Sequence, residues 1–276
     1  MAKNFEELLA KVTQCEKKKL AVACAQDKAV LEAVKAANER GIASSILVGD
    51  EAKIKEIAAE LNMNIDDYEV INVVDNTEAS LTAVKLVHDG KADMYLKGLL
   101  DTKTFLKSVL DKEVGLRTGK PLSHVCVFEL PGIDRLLFLT DVAFIPYPTL
   151  EDKVSMINYT VEAQELTKMN EEGKITGCVV DGPLSLDIAL YKEAAEEKGA
   201  LGRKVAGDAD ILLFPDIHAG NLVYKSIVHM VECKNGNILT GTQAPVILTS
   251  RSDSCEVKVN SIALAAVVAE EMKKMK

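Results

Sequence analysis

Lys19–Gly49 reads K-L-A-V-A-C-A-Q-D-K-A-V-L-E-A-V-K-A-A-N-E-R-G-I-A-S-S-I-L-V-G. A short apolar run, Lys19–Ala25, is followed by an amphipathic stretch from Asp27 to Arg40 that Gly41 ends, and a second apolar run starts at Ser44. Period-two and period-3.6 patterns alternating at this spacing predict strand–helix–strand. The cycle continues outward. Gly49 stops Ser44–Val48 before the helix Glu51–Leu61; strand Tyr68–Val74 precedes helix Glu78–Asp89; and strand Ala92–Leu96 precedes helix Thr102–Lys112. Four such cycles predict a mostly parallel sheet covered by helices on both faces, an α/β architecture.

The rhythm changes at Ser123–Pro146. His124–Leu130 and Arg135–Thr140 flank the turn Pro131-Gly132-Ile133-Asp134, which reads as an antiparallel hairpin. Ile145-Pro146-Tyr147-Pro148 is a proline-rich breaker and reads as a hinge or domain crossing. Beyond it the pattern predicts helix over Leu150–Glu172, strand Ile175–Val180, helix Leu186–Glu197, strand Ala209–Pro215 and helix Gly220–Cys233. Strand Ala244–Leu248 and a helix running to the C-terminus close the chain. Because that last unit resembles the first half in character, we expect one domain from residues 1–142 plus 244–276. Residues 143–243 then form an inserted second domain, with the cleft between the two as the default binding site.

Composition narrows the function classes. The 276 residues are 48% hydrophobic and 27% charged, ordinary for a globular protein with a full core. No apolar run approaches the ~20 residues of a membrane span. The N-terminal stretch reads as an acidic amphipathic helix rather than a signal peptide. Six cysteines without a CxxC pair read as reduced thiols in a cytoplasmic compartment, and no metal-ligand spacing or HExxH is present. A net charge of −9 and a pI near 5.1 make nucleic acid a poor partner, though a small anion needs only a local basic cluster.

Candidate chemistry concentrates at loop–helix junctions. Ala244–Glu256, A-P-V-I-L-T-S-R-S-D-S-C-E, is a buried strand delivering Ser250 and Arg251 to a helix start, where free N–H groups favour anions. The same residues fit a plain helix cap, with Asp253 and Glu256 at capping-box spacing. Gly115–Lys120, G-L-R-T-G-K, fails as a phosphate loop: its glycines stand one residue too close and Pro121 replaces the Ser/Thr that would hold magnesium. Arg117 between its glycines either grips an anion or is an ordinary exposed loop arginine. Lys97 and Thr102 follow a strand end, where ligands of parallel sheets gather, or form a plain turn. Ala219-Gly220-Asn221 opens a helix presenting Tyr224 and Lys225. His218 is either a base or incidental.

Taken together, Leu96–Leu100 with Thr102 (L-K-G-L-L-D-T), Gly115–Gly119, Arg135–Asp141 (R-L-L-F-L-T-D), Val180–Leu184 (V-D-G-P-L), Ala206–Ser226 and Leu248–Ser254 (L-T-S-R-S-D-S) resemble the phosphate acetyl/butyryl transferase family over nearly the whole chain. Leu122–Val125 (L-S-H-V) and L-T-S-R-S-D-S look closer to the butyryl branch. The resemblance implies a two-domain α/β/α fold related to isocitrate and isopropylmalate dehydrogenases, with its active site in the interdomain cleft. It also implies a homo-oligomer that moves a short- to medium-chain acyl group, butyryl for this branch, between coenzyme A and inorganic phosphate. Coenzyme A thioester is then a substrate, and no cofactor is tightly bound. Ser250 and Arg251 match the family's serine–arginine pair. Arg117 matches a site arginine, and Arg135, Lys97, Thr102, Asn221, Tyr224 and Lys225 are expected to contact substrate. The acid that deprotonates the thiol stands seven residues after the serine in the acetyl pattern, where this chain has Val257. Glu256, or else Asp253, is the expected substitute. Between Asn158 and Val161 the chain lacks a stretch that the family usually carries. Two rival readings are a metal-dependent NAD(P) dehydrogenase of the same broad fold and a non-catalytic acyl-CoA-binding protein.

Overall fold

A computed structural model describes residues 2–142, 184–203, 205–214, 216–250 and 253–274, together with 149, 151 and 178. The breaker at 145–148, the helix expected over 150–172, the strand over 175–180 and the 158–161 junction lie outside the described residues.

The alternation read from the sequence folds as expected in the first half. Helix α1 (Phe5–Val12) leads to β1 (Lys18–Ala23), α2 (Lys28–Glu39), β2 (Ala43–Gly49), α3 (Glu51–Glu60), β3 (Glu69–Asn72), α4 (Asn76–His88), β4 (Met94–Lys97) and α5 (Thr102–Val109). Each β-to-α junction uses the same device: Asp27, Asp50, Asp75 and Asp101 accept hydrogen bonds from the backbone N–H three residues on. An aspartate there satisfies a donor left over by the first helical turn and meets the positive end of the helix dipole. Strands β5 (Ser123–Glu129) and β6 (Leu137–Thr140) form the expected antiparallel pair.

After the undescribed stretch come α6 (Leu186–Leu190), α7 (Lys192–Glu197), β7 (Ile211–Leu213), α8 (Ile217–Met230), β8 (Lys234–Thr240), β9 (Val246–Ile247) and α9 (Cys255–Lys274). The single helix read over 186–197 is two helices that meet at Tyr191, whose backbone is extended. Strand β8 is absent from the sequence reading because K-N-G-N looks like a turn. Gly236 has a packing reason: a Cβ there would lie 3.1 Å from the Asn260 backbone of α9. The buried asparagines are tied into the same contact, since Asn237 N–H donates to Ser261 Oγ and Asn260 Nδ2 donates to the Asn235 carbonyl.

The nine strands among the described residues form one sheet in the order β3-β2-β1-β4-β9-β8-β5-β6-β7. Pairing is parallel from β3 through β9 and between β6 and β7, and antiparallel at β9–β8, β8–β5 and β5–β6. Strand direction therefore reverses between β9 and β8. Strand β8, from the part read as inserted, lies between β9 and β5 of the first part.

One face of the sheet carries α1, α2, α3 and α9 over a large apolar cluster that includes Leu20, Leu47, Leu96, Val125, Ile238 and Ile262. The other face carries two clusters. Tyr95, Phe105 and Leu239 pack under α4 and α5; Cys126, Phe128 and Tyr224 pack under α6 and α8. Among the described residues no helix is long and apolar enough to cross a membrane.

Candidate active site

Where those two clusters fail to merge, a cavity of about 410 Å³ opens over β9, β8 and β5. Its walls are Thr102 and Leu106 of α5, His124 of β5, Val142, Asn221, Tyr224 and Lys225 of α8, Asn237 of β8, and Leu248, Thr249, Ser250 and Asp253. The volume falls within the usual range for small-molecule pockets. Helical spacing explains the pairs: Thr102 and Leu106 stand one turn apart on α5, as do Asn221 and Lys225 on α8.

The floor is set by strand register. His124 pairs with Leu239, which pairs with Val246, so these side chains share the face that holds the cavity. The His124 backbone N–H donates to Asp141 Oδ2 at 3.0 Å, tying the start of β5 to the end of β6. Asn221 Nδ2 donates to the Val142 carbonyl at 3.2 Å. Gly220 permits that approach, because a Cβ would meet the Asp141 carbonyl at 2.5 Å. Tyr224 is buried edge-on to Phe128, and Lys225 Nζ lies 5.2 Å from the centre of the Tyr224 ring.

Ser250 sits on a tight turn. Its backbone N–H donates to Asp253 Oδ2 at 2.7 Å, and the Asp253 N–H donates back to the Ser250 carbonyl at 3.2 Å. Lys258, one turn into α9 and 2% exposed, sends its ammonium to the Asp253 carbonyl and, at 3.5 Å, to the Ser250 carbonyl. A buried cation thus locks the turn from beneath, a role that a lysine in a sequence does not advertise. The capping reading is corrected in detail: Ser254 Oγ accepts from the Val257 N–H, and Asp253 serves the turn instead.

Of the expected site residues, Thr102, Asn221, Tyr224, Lys225 and Ser250 meet at the cavity. Arg251 lies outside the described residues. Glu256 does not line the cavity: Arg40, the residue that caps the end of α2, holds its carboxylate with two hydrogen bonds, of 3.0 and 2.9 Å. Those bonds keep the Glu256 pKa below the usual carboxylate range. Arg135 is at the far end of β6, where it donates to the Ala209 carbonyl and faces Asp134, Asp208 and Asp210 at 3.5–3.9 Å. Three carboxylates and a carbonyl give this guanidinium a structural occupation. Arg117 is exposed on a loop strapped to residues 241–243: Gln243 Nε2 donates to its carbonyl and Thr118 Oγ1 to the Gly241 carbonyl. That strap precedes β9 and Ser250 follows it, so the two stand at opposite ends of the strand. Lys97 is buried at the end of β4, one residue beyond the pair Leu96–Ile247, and does not line the cavity.

His124 and Asn237 are the additions. Both are more than nine-tenths buried, and among the described residues His124 Nε2 and Asn237 Oδ1 have no hydrogen-bond partner. Unpaired buried polar atoms are costly, and two on one cavity wall mark a surface shaped for a polar ligand. In the sequence, His124 falls in an apolar run that reads as strand, and Asn237 falls in a stretch for which the pattern predicts no element.

Comparison with known proteins shows the family. The profile described as "Phosphate acetyl/butaryl transferase" matches residues 4–80, 74–165 and 156–266. The chain is 52% identical to a phosphate butyryltransferase of Clostridium beijerinckii, covering 99% of this chain and 100% of that one. That alignment runs to 303 positions against 276 residues here, so at least 27 positions have no counterpart in this chain. A phosphate acetyltransferase of Thermotoga maritima is 39% identical, covering 96% and 100%. The crystal structure of a branched-chain phosphotransacylase from Enterococcus faecalis superposes with a TM-score of 0.78 at 30% identity, covering 91% of this chain and 99% of that one. The chain belongs to the phosphate acetyl/butyryl transferase family.

Proposed function

We propose that this protein transfers a butyryl or similar short- to medium-chain acyl group reversibly between coenzyme A and inorganic phosphate. The observation that carries this reading is the 52% identity to a phosphate butyryltransferase over the full length of both chains. The cavity supplies fitting chemistry. Leu106, Val142 and Leu248 offer apolar wall for an acyl chain, while Ser250, Thr102, Asn221 and Lys225 offer donors. At about 410 Å³ it has room for the reacting end, not for the whole of coenzyme A.

In the acyl-phosphate-forming direction, phosphate attacks the thioester carbonyl and coenzyme A leaves as a thiolate. A phosphate anion resists approach to a carbonyl oxygen, so cations must hold it. Among the described residues Lys225 is the cation on the cavity wall, which also carries the carboxylate of Asp253. We assign the remaining positive charge to Arg251; Arg117 and Lys97, the other expected phosphate ligands, stand away from this cavity. Ser250 Oγ hydrogen-bonds the departing sulfur or the carbonyl oxygen; such donors are worth roughly 3–4 kcal/mol in acyl-transfer sites. Residues 1–142 with 244–276, and 143–243, act as the two lobes of this cleft in a dehydrogenase-like arrangement. We place the protein in the cytoplasm, where thiols such as its six cysteines stay reduced, and take its active form to be a homo-oligomer, as the family resemblance implies.

The test is direct. Butyryl-CoA and phosphate, with no metal or nucleotide added, give free thiol; if no acyl-CoA supports phosphate-dependent thiol release, the reading is wrong. Ser250→Ala lowers kcat at least about tenfold, or about 1.4 kcal/mol, without changing the melting temperature.

A further inference from the structure

Resting on that acyl-transfer reading, we propose that His124 Nε2 is the base that takes the proton from the coenzyme A thiol and returns it to the departing thiolate in the opposite direction. The reaction needs such a group; of the two expected carboxylates one stands outside the cavity and the other is engaged in the turn at Ser250. Glu256 is held by Arg40 outside the cavity. Asp253 lines the cavity, but its Oδ2 is engaged by the Ser250 N–H that shapes the turn.

His124 has the position and the surroundings. It is 6% exposed, lines the same cavity as Ser250, and keeps Nε2 without a hydrogen-bond partner among the described residues. Its other nitrogen, Nδ1, faces Cys126 Sγ at 3.8 Å, and a backbone contact with Leu248 favours the ring's protonated form. In the tautomer that carries its proton on Nδ1, the Nε2 lone pair is left for substrate.

The charged and titratable groups around the ring come from four elements. Asp141 follows β6, Asp253 precedes α9, Lys225 and Tyr224 belong to α8, and Cys126 lies on His124's own strand. Burial depresses the imidazole pKa, the Asp141 carboxylate and then Asp253 push it back up, and Lys225 opposes them. The ring is therefore neutral and able to accept at neutral pH, and two carboxylates stand ready to stabilise the imidazolium as it forms. In acyl-CoA synthesis the thiol S–H bond breaks as the proton moves to Nε2. The S–C bond then forms, the acyl C–O bond to phosphorus breaks, phosphate leaves, and the imidazolium releases its proton to phosphate or water.

The experiment measures acyl-CoA formation from butyryl phosphate and coenzyme A with the wild type and His124→Gln, from about pH 5 to about pH 8. The variant is expected to lose about 100-fold or more in kcat, the low end for a general base, with the KM for coenzyme A little changed. The wild type's acid limb in kcat/KM is expected to vanish. A smaller loss, or an acid limb that survives in the variant, overturns the assignment. A second readout needs no variant: imidazole ¹⁵N shifts of the wild type are expected to show the Nδ1–H form, and an Nε2–H form overturns it. If the wild type itself shows no turnover, the acyl-transfer reading fails first.

Discussion

Replacing Lys258 with methionine separates what holds the active-site turn from what holds the fold. Lys258 is 2% exposed, and its ammonium donates to the carbonyls of Asp253 and Ser250. The first is a charge-assisted bond worth roughly 1.5–3 kcal/mol. The second, at 3.5 Å, is at the limit of bonding distance and adds little. Against this gain stands the burial of an ammonium, which costs several kcal/mol before its partners offset it. Methionine fills a similar space and removes both sides of the balance. The net stability change is therefore within about 1.5 kcal/mol, a few degrees in Tm for a chain of this size. Catalysis does not share that cancellation. Without the ammonium the Ser250–Asp253 turn keeps only its own two hydrogen bonds, and a displacement of about 1 Å at a reacting group can cost roughly 100-fold. Thermal unfolding by circular dichroism and thiol-release kinetics on the same preparation measure the two quantities. Lys258→Met in a Ser250→Ala background should add little to the loss from Ser250→Ala alone, because the lysine acts through the serine. A single variant with unchanged Tm and kcat within about threefold of wild type, about 0.6 kcal/mol, would refute the reasoning.

Glu256→Gln should leave kcat within about twofold and cost less than about 1 kcal/mol, since its pair with Arg40 is about half exposed; a large loss of turnover would return Glu256 to the site. Arg135→Gln should cost roughly 1–3 kcal/mol of stability, by leaving three carboxylates and a carbonyl without their cation, while the KM for phosphate stays put; a raised KM would contradict its structural occupation. The buried His124 also sets a pH dependence. Its folded pKa is below the unfolded value of about 6.5, so in acid the unfolded chain binds the extra proton. Stability is full above that value and falls below it, by at most about 1.4 kcal/mol per pH unit. Urea melts should show this slope in the wild type and a weaker one in His124→Gln.

Local pattern made the alternating half legible. Apolar runs of the right length, amphipathic stretches and an aspartate at each junction all point one way between Lys18 and Val109, and the sheet follows. What escaped the sequence depends on distant partners. Asn235-Gly236-Asn237 has turn chemistry, yet it is a central strand because α9 packs close against it and its polar groups bond to Asn260 and Ser261. Glu256 has capping-box spacing from Asp253, yet its partner is Arg40, 216 residues away in sequence. The same limit hid His124 and Lys258, since burial inside an apolar strand or helix is a property of the assembled layers. Ser250, Thr102 and the Asn221–Lys225 group were legible because small polar residues after a strand, or opening a helix, carry a local signal.

Strand β9 is two residues long, yet it is the seam that joins the parallel part of the sheet to the antiparallel part. It follows β1–β4 and β8 in the chain. During vectorial synthesis β1–β4 can assemble while β9 is still within the ribosome, leaving β4 with an unpaired edge of backbone donors and acceptors. Strand β8 waits in the same condition. Insertion of Val246-Ile247 closes both edges at once, and the next residues to emerge are Ser250 and Asp253. Closure of these two edges and assembly of the cavity are thus one event, so a nascent chain acquires its cavity in the step that hides its open strands.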